Sequence, residues 1–175
     1  MRKSPLLRLA LRNAFVAGVL IIVFMVILFY VGRHPFLITP LLDFRIFLFG
    51  VFIFFTLKEF RDYHQSGTLY FWQGLFGSFV VVLVSSWIGA GGLWLFGSFE
   101  PAFVETYIEQ MIVKLREFPP EEIEEFGKEA FERNLALLPA TNISQLVITH
   151  FAQGLLIGMP VSLLLSVILR RTHQT

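Results

Sequence analysis

Charged residues divide this chain into long apolar stretches. Between Arg12 and Arg33 lie twenty residues, Asn13 to Gly32, without a charge. A hydrocarbon core of about 30 Å is crossed by roughly 20 helical residues. Ser4 followed by Pro5 reads as an N-cap and a first-turn proline, while Gly32 and Pro35 mark a helix end. The pattern predicts a first span over 5–31. It is too long for a cleaved signal peptide and has no small-residue cleavage site after it, so we read it as a retained anchor. The second gap, Ile46 to Leu57, has only twelve residues. Thr39 and Pro40 repeat the cap-then-proline signal and extend the expected helix to 40–60. That places Asp43 and Arg45 in the outer interface, with Arg45 snorkelling towards water. A re-entrant half-helix is the rival reading of this short run. The third gap holds a span over 70–97, with Tyr70, Phe71 and Trp72 at one end and Trp94 and Phe96 near the other, as an aromatic belt requires. The fourth span, 144–169, is opened by the pair Asn142 and Gln145 and closed by Arg170 and Arg171. Pro160 is expected to kink it.

The segment between the last two spans, 99–142, has a different period. Phe103, Tyr107, Met111, Leu115 and Phe118 recur every three or four residues, with Glu105, Glu109 and Glu117 on the other face. This is an amphipathic helix. Pro119 and Pro120 break it and start a second one, whose glutamates favour its positive N-terminus. The expected architecture is all-α: a four-helix transmembrane bundle, one domain over 1–175, with an extramembrane helical segment between the third and fourth spans.

Composition agrees with that class. Of 175 residues, 55% are hydrophobic and 15% charged, against about 25% charged in soluble domains. There is no cysteine, which excludes a disulfide scaffold and a thiolate metal site. The net charge of +1 hides a strong asymmetry. The N-terminus, the loop after the second span and the C-terminus together hold eight basic and two acidic residues, a balance of +6. The loop 33–45 adds +1, and 100–142 carries −6. Basic flanks stay in the cytoplasm, so both termini are expected there, with the acidic segment outside.

Chemistry is sparse. No charge falls within an expected hydrocarbon core, which argues against a proton-coupled transporter. His150 reads as an interfacial histidine, because no second ligand lies at helical spacing on its own span. The glutamate run reads as a solvated cluster, since no Asp/Asn/Gly ligand loop accompanies it. Ser85, Ser86, Ser162 and Ser166 lack a base partner. Small residues stand four apart in three spans: Ala14 and Gly18, Ser85 and Gly89, Gly154 and Gly158. That spacing allows close helix approach, within the chain's own bundle in preference to a homodimer. The second span lacks the device and is expected to face lipid or a large partner.

Lys58-Glu59-Phe60-Arg61-Asp62, then Gly67, Tyr70-Phe71 and Gly74, resembles a bacterial inner-membrane family catalogued as domain of unknown function 4199. Phe99-Glu100-Pro101-Ala102-Phe103 and the Glu-rich helix to Leu115 resemble its outward segment. The resemblance implies four helices in a Gram-negative inner membrane. The family has no assigned activity, so no functional residue is carried over. The expected role is non-catalytic and accessory, without cofactor, metal or nucleic acid. Its expected partners are the lipid bilayer and a membrane or periplasmic protein, or self-association. A small-solute or lipid carrier is the alternative.

Overall fold

The structure is a computed structural model and describes residues 4–39, 42–119, 121, 123–124 and 127–172. Its main helices are α1 (Pro5–Tyr30), α2 (Phe44–His64), α3 (Phe71–Phe99), α4 (Ala102–Arg116), α5 (Lys128–Leu137) and α6 (Ile143–Ile168). Single 3-10 turns occupy Pro35–Leu37 and Leu138–Ala140. No strand is present among the described residues.

The punctuation residues act as their chemistry requires. Ser4 Oγ accepts the Leu7 N–H at the start of α1, and Gly32 takes φ +82° just beyond its end, a conformation that only glycine adopts freely. Asn142 and Gln145 close a reciprocal capping box on α6. That helix continues through Pro160 to Ile168.

Packing follows rows of residues four apart. On α6, Leu146, His150, Gly154, Gly158, Ser162 and Ser166 are all buried, and the facing row of α3 includes Gly74, Ser78, Val82, Ser86 and Ala90. A β-carbon on Gly97 would meet Ile143, one on Gly158 would meet Val82, and one on Gly74 would lie 3.3 Å from Ser166. The two helices are therefore antiparallel and close along their length. The next row of α3 faces α1. There Gly77 meets Leu6 and Gly92 meets Ile22, so these two helices rise together. Antiparallel to α1, α2 is joined to it by the Phe24–Phe44 stack at 5.6 Å, the Asn13–Thr56 hydrogen bond at 2.8 Å and the Arg12–Glu59 ion pair at 2.5 Å. Two backbone hydrogen bonds between Leu69 and Arg171 tie the α2–α3 turn to the end of α6.

Among the described residues three helices, α1, α3 and α6, are long and apolar enough to cross a membrane. The expected bounds of the second span need correction. Its helix begins at Phe44, not at residue 40, because Asp43 is the N-cap and accepts the Arg45 N–H at 2.9 Å; Pro40 lies outside the described residues. α2 also carries Arg45 near its start and Lys58, Glu59, Arg61 and Asp62 at its end. It does not simply face lipid. Leu48, Phe49, Ile53 and Leu57 are buried against the bundle, while Phe47 and Phe55 point outward. The second amphipathic helix agrees at its start, where Glu121, Ile123 and Glu124 are helical and the Ile123 N–H bonds to the Pro119 carbonyl. It differs at Gly127, whose φ of +88° interrupts it before α5 opens at Lys128; Pro120 lies outside the described residues.

Candidate functional site

The pairing of Phe44 with Phe24 places the start of α2 six residues short of the end of α1, about 9 Å deeper at 1.5 Å per residue. A helix start carries N–H groups without intrahelical partners, and inside a bundle these need polar company. Asp43 and Arg45 supply it. Asp43 caps the backbone with Oδ1, and its carboxylate also receives Arg45 Nε at 2.9 and 3.0 Å and Nη2 at 2.6 Å. Across the bundle, Arg45 Nη1 donates to the His150 carbonyl at 3.0 Å and meets His150 Nδ1 at 3.3 Å, while Nη2 donates to Gln153 Oε1 at 3.1 Å. All five guanidinium N–H groups have acceptors.

This overturns one expectation: Arg45 does not snorkel outward; it is 5% exposed and turned into the bundle. His150 is 4% exposed and held by Arg45. The physical reason is the depth of the α2 start. Arg45 cannot reach water easily from there, and Asp43 already offers a counter-charge. A guanidinium only donates, so His150 Nδ1 must accept and its proton sits on Nε2. Nε2 lies 3.0 Å from where a Gly89 β-carbon would stand and has no acceptor among the described residues. A neighbouring pocket, lined by Met25, Phe36 and Phe44 besides the polar groups, has room for about one water molecule. The cluster is thus a neutral ion pair joined to a neutral imidazole and an amide. Its geometry clamps α2 to α6.

Above it sits a roof. His34 is 2% exposed. Its Nδ1 accepts the Phe36 N–H at 3.4 Å, so Nε2–H donates to the Phe103 carbonyl at 3.1 Å. Phe29, Phe36, Phe103 and Tyr107 surround the ring. Burial pushes the His34 pKa down to about 4, against a smaller raising effect of the Phe103 hydrogen bond. Burial also raises Tyr107. Lys114 Nζ on α4 reaches the Leu37 carbonyl at 3.2 Å, a second tie between α4 and the α1–α2 connection.

The six small residues singled out from spacing all lie in seams within the chain. Ala14 and Ser85 are fully buried. A β-carbon on Gly18 would lie 2.7 Å from Ile88 Cβ and 3.2 Å from the Ser85 carbonyl; one on Gly89 would reach Ile21 at 3.0 Å; one on Gly154 would lie 2.5 Å from Ser86 Oγ. Gly158 meets Val82. Spacing alone missed the polar cluster and His34. A usable signal existed in Asp43-x-Arg45 at a helix start and in His150 and Gln153, three apart on one helix face. Among the described residues, no three His, Cys, Asp or Glu side chains converge as a metal site would require.

No curated protein and no solved structure matches the chain. A family model does, over residues 12–171, and by that match the chain belongs to the family described as protein of unknown function, DUF4199.

Proposed function

We propose that this chain is a four-span protein of a bacterial inner membrane, non-catalytic, with both termini in the cytoplasm and its acidic helices presented outward to a partner protein. The observation that carries the reading is the saturation of Arg45. Every donor of the buried cation is used to join Asp43, His150 and Gln153, so the intramembrane charge serves a joint between helices. The antiparallel run of α2 along α1 supports a fourth crossing, and the +6 against −6 distribution supports the orientation. The outward face of α4 carries Glu105 and Glu109, both exposed, on a helix anchored by fully buried Phe103.

The test is extraction of the native complex in mild detergent, comparing wild type with Glu105→Lys/Glu109→Lys. A stoichiometric partner retained by the first and lost by the second is expected. A lone monodisperse monomer in several mild detergents would contradict the proposal. One observation favours the carrier alternative. A groove of about 680 Å³, lined mainly by Trp87, Gly91, Trp94, Ile148 and Phe151, opens between α3 and α6. Native mass spectrometry decides that reading: a lipid adduct retained by wild type and lost in Gly91→Phe supports it, and equal adducts in both reject it.

A further inference from the structure

We propose that His34 is an acid-operated latch: its neutral imidazole locks α4 onto the α1–α2 connection, and protonation releases α4. The argument begins with the two hydrogen bonds. As a neutral ring His34 accepts at Nδ1 from Phe36 and donates at Nε2 to Phe103. The protonated ring is a donor at both nitrogens. Nδ1–H would then confront the Phe36 N–H, and the backbone turn Pro35–Leu37 that this contact caps would lose its acceptor.

Of the groups packed around the ring only the Phe103 carbonyl favours the charge, and burial outweighs it. From α1 it meets Phe29, from the turn Phe36, and from α4 Phe103 and the Tyr107 phenol. The flanking Arg33 is cationic, as is Lys114 on α4, which is committed to Leu37. Behind Phe36, α6 presents His150, whose ring lies 6.0 Å from the Phe36 ring. Among the described residues no carboxylate bonds or pairs with His34. A buried cation in that setting must reach water, and the cheapest route is undocking of α4. Phe36 stands between the His34 and Phe103 rings on one side and the His150 ring on the other, so the turn that loses its cap also borders the cavity beside Arg45.

The direction of the pH effect follows from linkage. The docked imidazole titrates near 4 and a solvated one at 6.5, so the undocked state binds the proton preferentially. Docking is fully stable above pH 6.5 and weakens as pH falls towards 4. Between pH 7.5 and 4.5 the docking equilibrium is expected to shift by roughly 30- to 100-fold.

Hydrogen–deuterium exchange of the α4 amides, corrected for intrinsic rates, measures this on the full chain in nanodiscs. Wild type should lose protection in α4 by that factor while α3 and α6 stay protected. His34→Gln, which keeps a donor towards Phe103 and does not titrate, should show no such pH dependence. An equal loss in His34→Gln, or none in wild type, would overturn the latch. Should His34→Gln leave α4 unprotected already at pH 7.5, the wild type alone decides through imidazole ¹⁵N NMR. His34 protonation and α4 release sharing one midpoint supports the latch, and separate midpoints overturn it.

Discussion

Replacing Arg45 by methionine removes the cation but keeps much of the apolar stem. Asp43, 9% exposed, then loses its counter-charge, and His150 Nδ1 and Gln153 Oε1 each lose a donor. Breaking a buried ion pair from one side costs about 3–5 kcal/mol, because the surviving charge is left uncompensated. Asp43→Asn is expected to cost about 3 kcal/mol by the same reasoning. It retains an oxygen to cap the Arg45 N–H, so the additional ~1 kcal/mol of a lost N-cap is spared. In Asp43→Asn/Arg45→Met neither charge remains, and replacing a buried pair as a whole is often nearly neutral. The double variant should therefore lie within about 1–2 kcal/mol of wild type, well short of the sum of the single losses. Reversible unfolding in mixed micelles, followed by circular dichroism, gives all four corners of the cycle. A loss under about 1 kcal/mol in Arg45→Met, the cost of an exposed pair, would mean that Arg45 points to water and would refute the reasoning. Additive single losses would do the same.

Two contrasts probe the bundle itself. Gly158→Ala sets a methyl group against Val82, which is fully buried, and should cost about 1–3 kcal/mol by overpacking. Gly50→Ala meets nothing within 4 Å on α2 and should be neutral or stabilising by up to about 1 kcal/mol; thermal midpoints of the two variants should move in opposite directions or differ clearly. Asn13→Ala and Thr56→Ala remove the two ends of the buried 2.8 Å bond between α1 and α2. Their double-mutant cycle should show a coupling of about 0.6–1.7 kcal/mol, typical of interhelical bonds in membranes, and zero coupling would count against the pairing of these helices.

The parts of this fold that were legible in sequence are those governed by local rules. Uncharged length marked α1, α3 and α6 to within two residues at each end, and the caps at Ser4 and Asn142 are local hydrogen bonds that their residue types announce. The four-residue spacing of small side chains marked helix seams because close approach needs small residues wherever the neighbour comes from. The polar cluster was not legible for the opposite reason. Its members belong to α2 and α6, more than a hundred positions apart in the chain. Charge counting assigns Arg45 to the interface because it stands near the edge of an apolar run. Only the depth at which α2 starts turns it inward. His34 was hidden likewise, since its acceptor is a backbone carbonyl of Phe103, 69 residues away.

The central claim is that α2 returns across the membrane, clamped at its outer end by Arg45. Because the chain contains no cysteine, single cysteines at Ser4, Ser66 and Glu109, all exposed, report side directly. Labelling intact cells with a membrane-impermeant thiol reagent should modify the cysteine at position 109 alone, with positions 4 and 66 reacting only after permeabilisation. Positions 4 and 66 reacting from opposite sides would contradict the account, because α2 would then be a re-entrant helix and not a span.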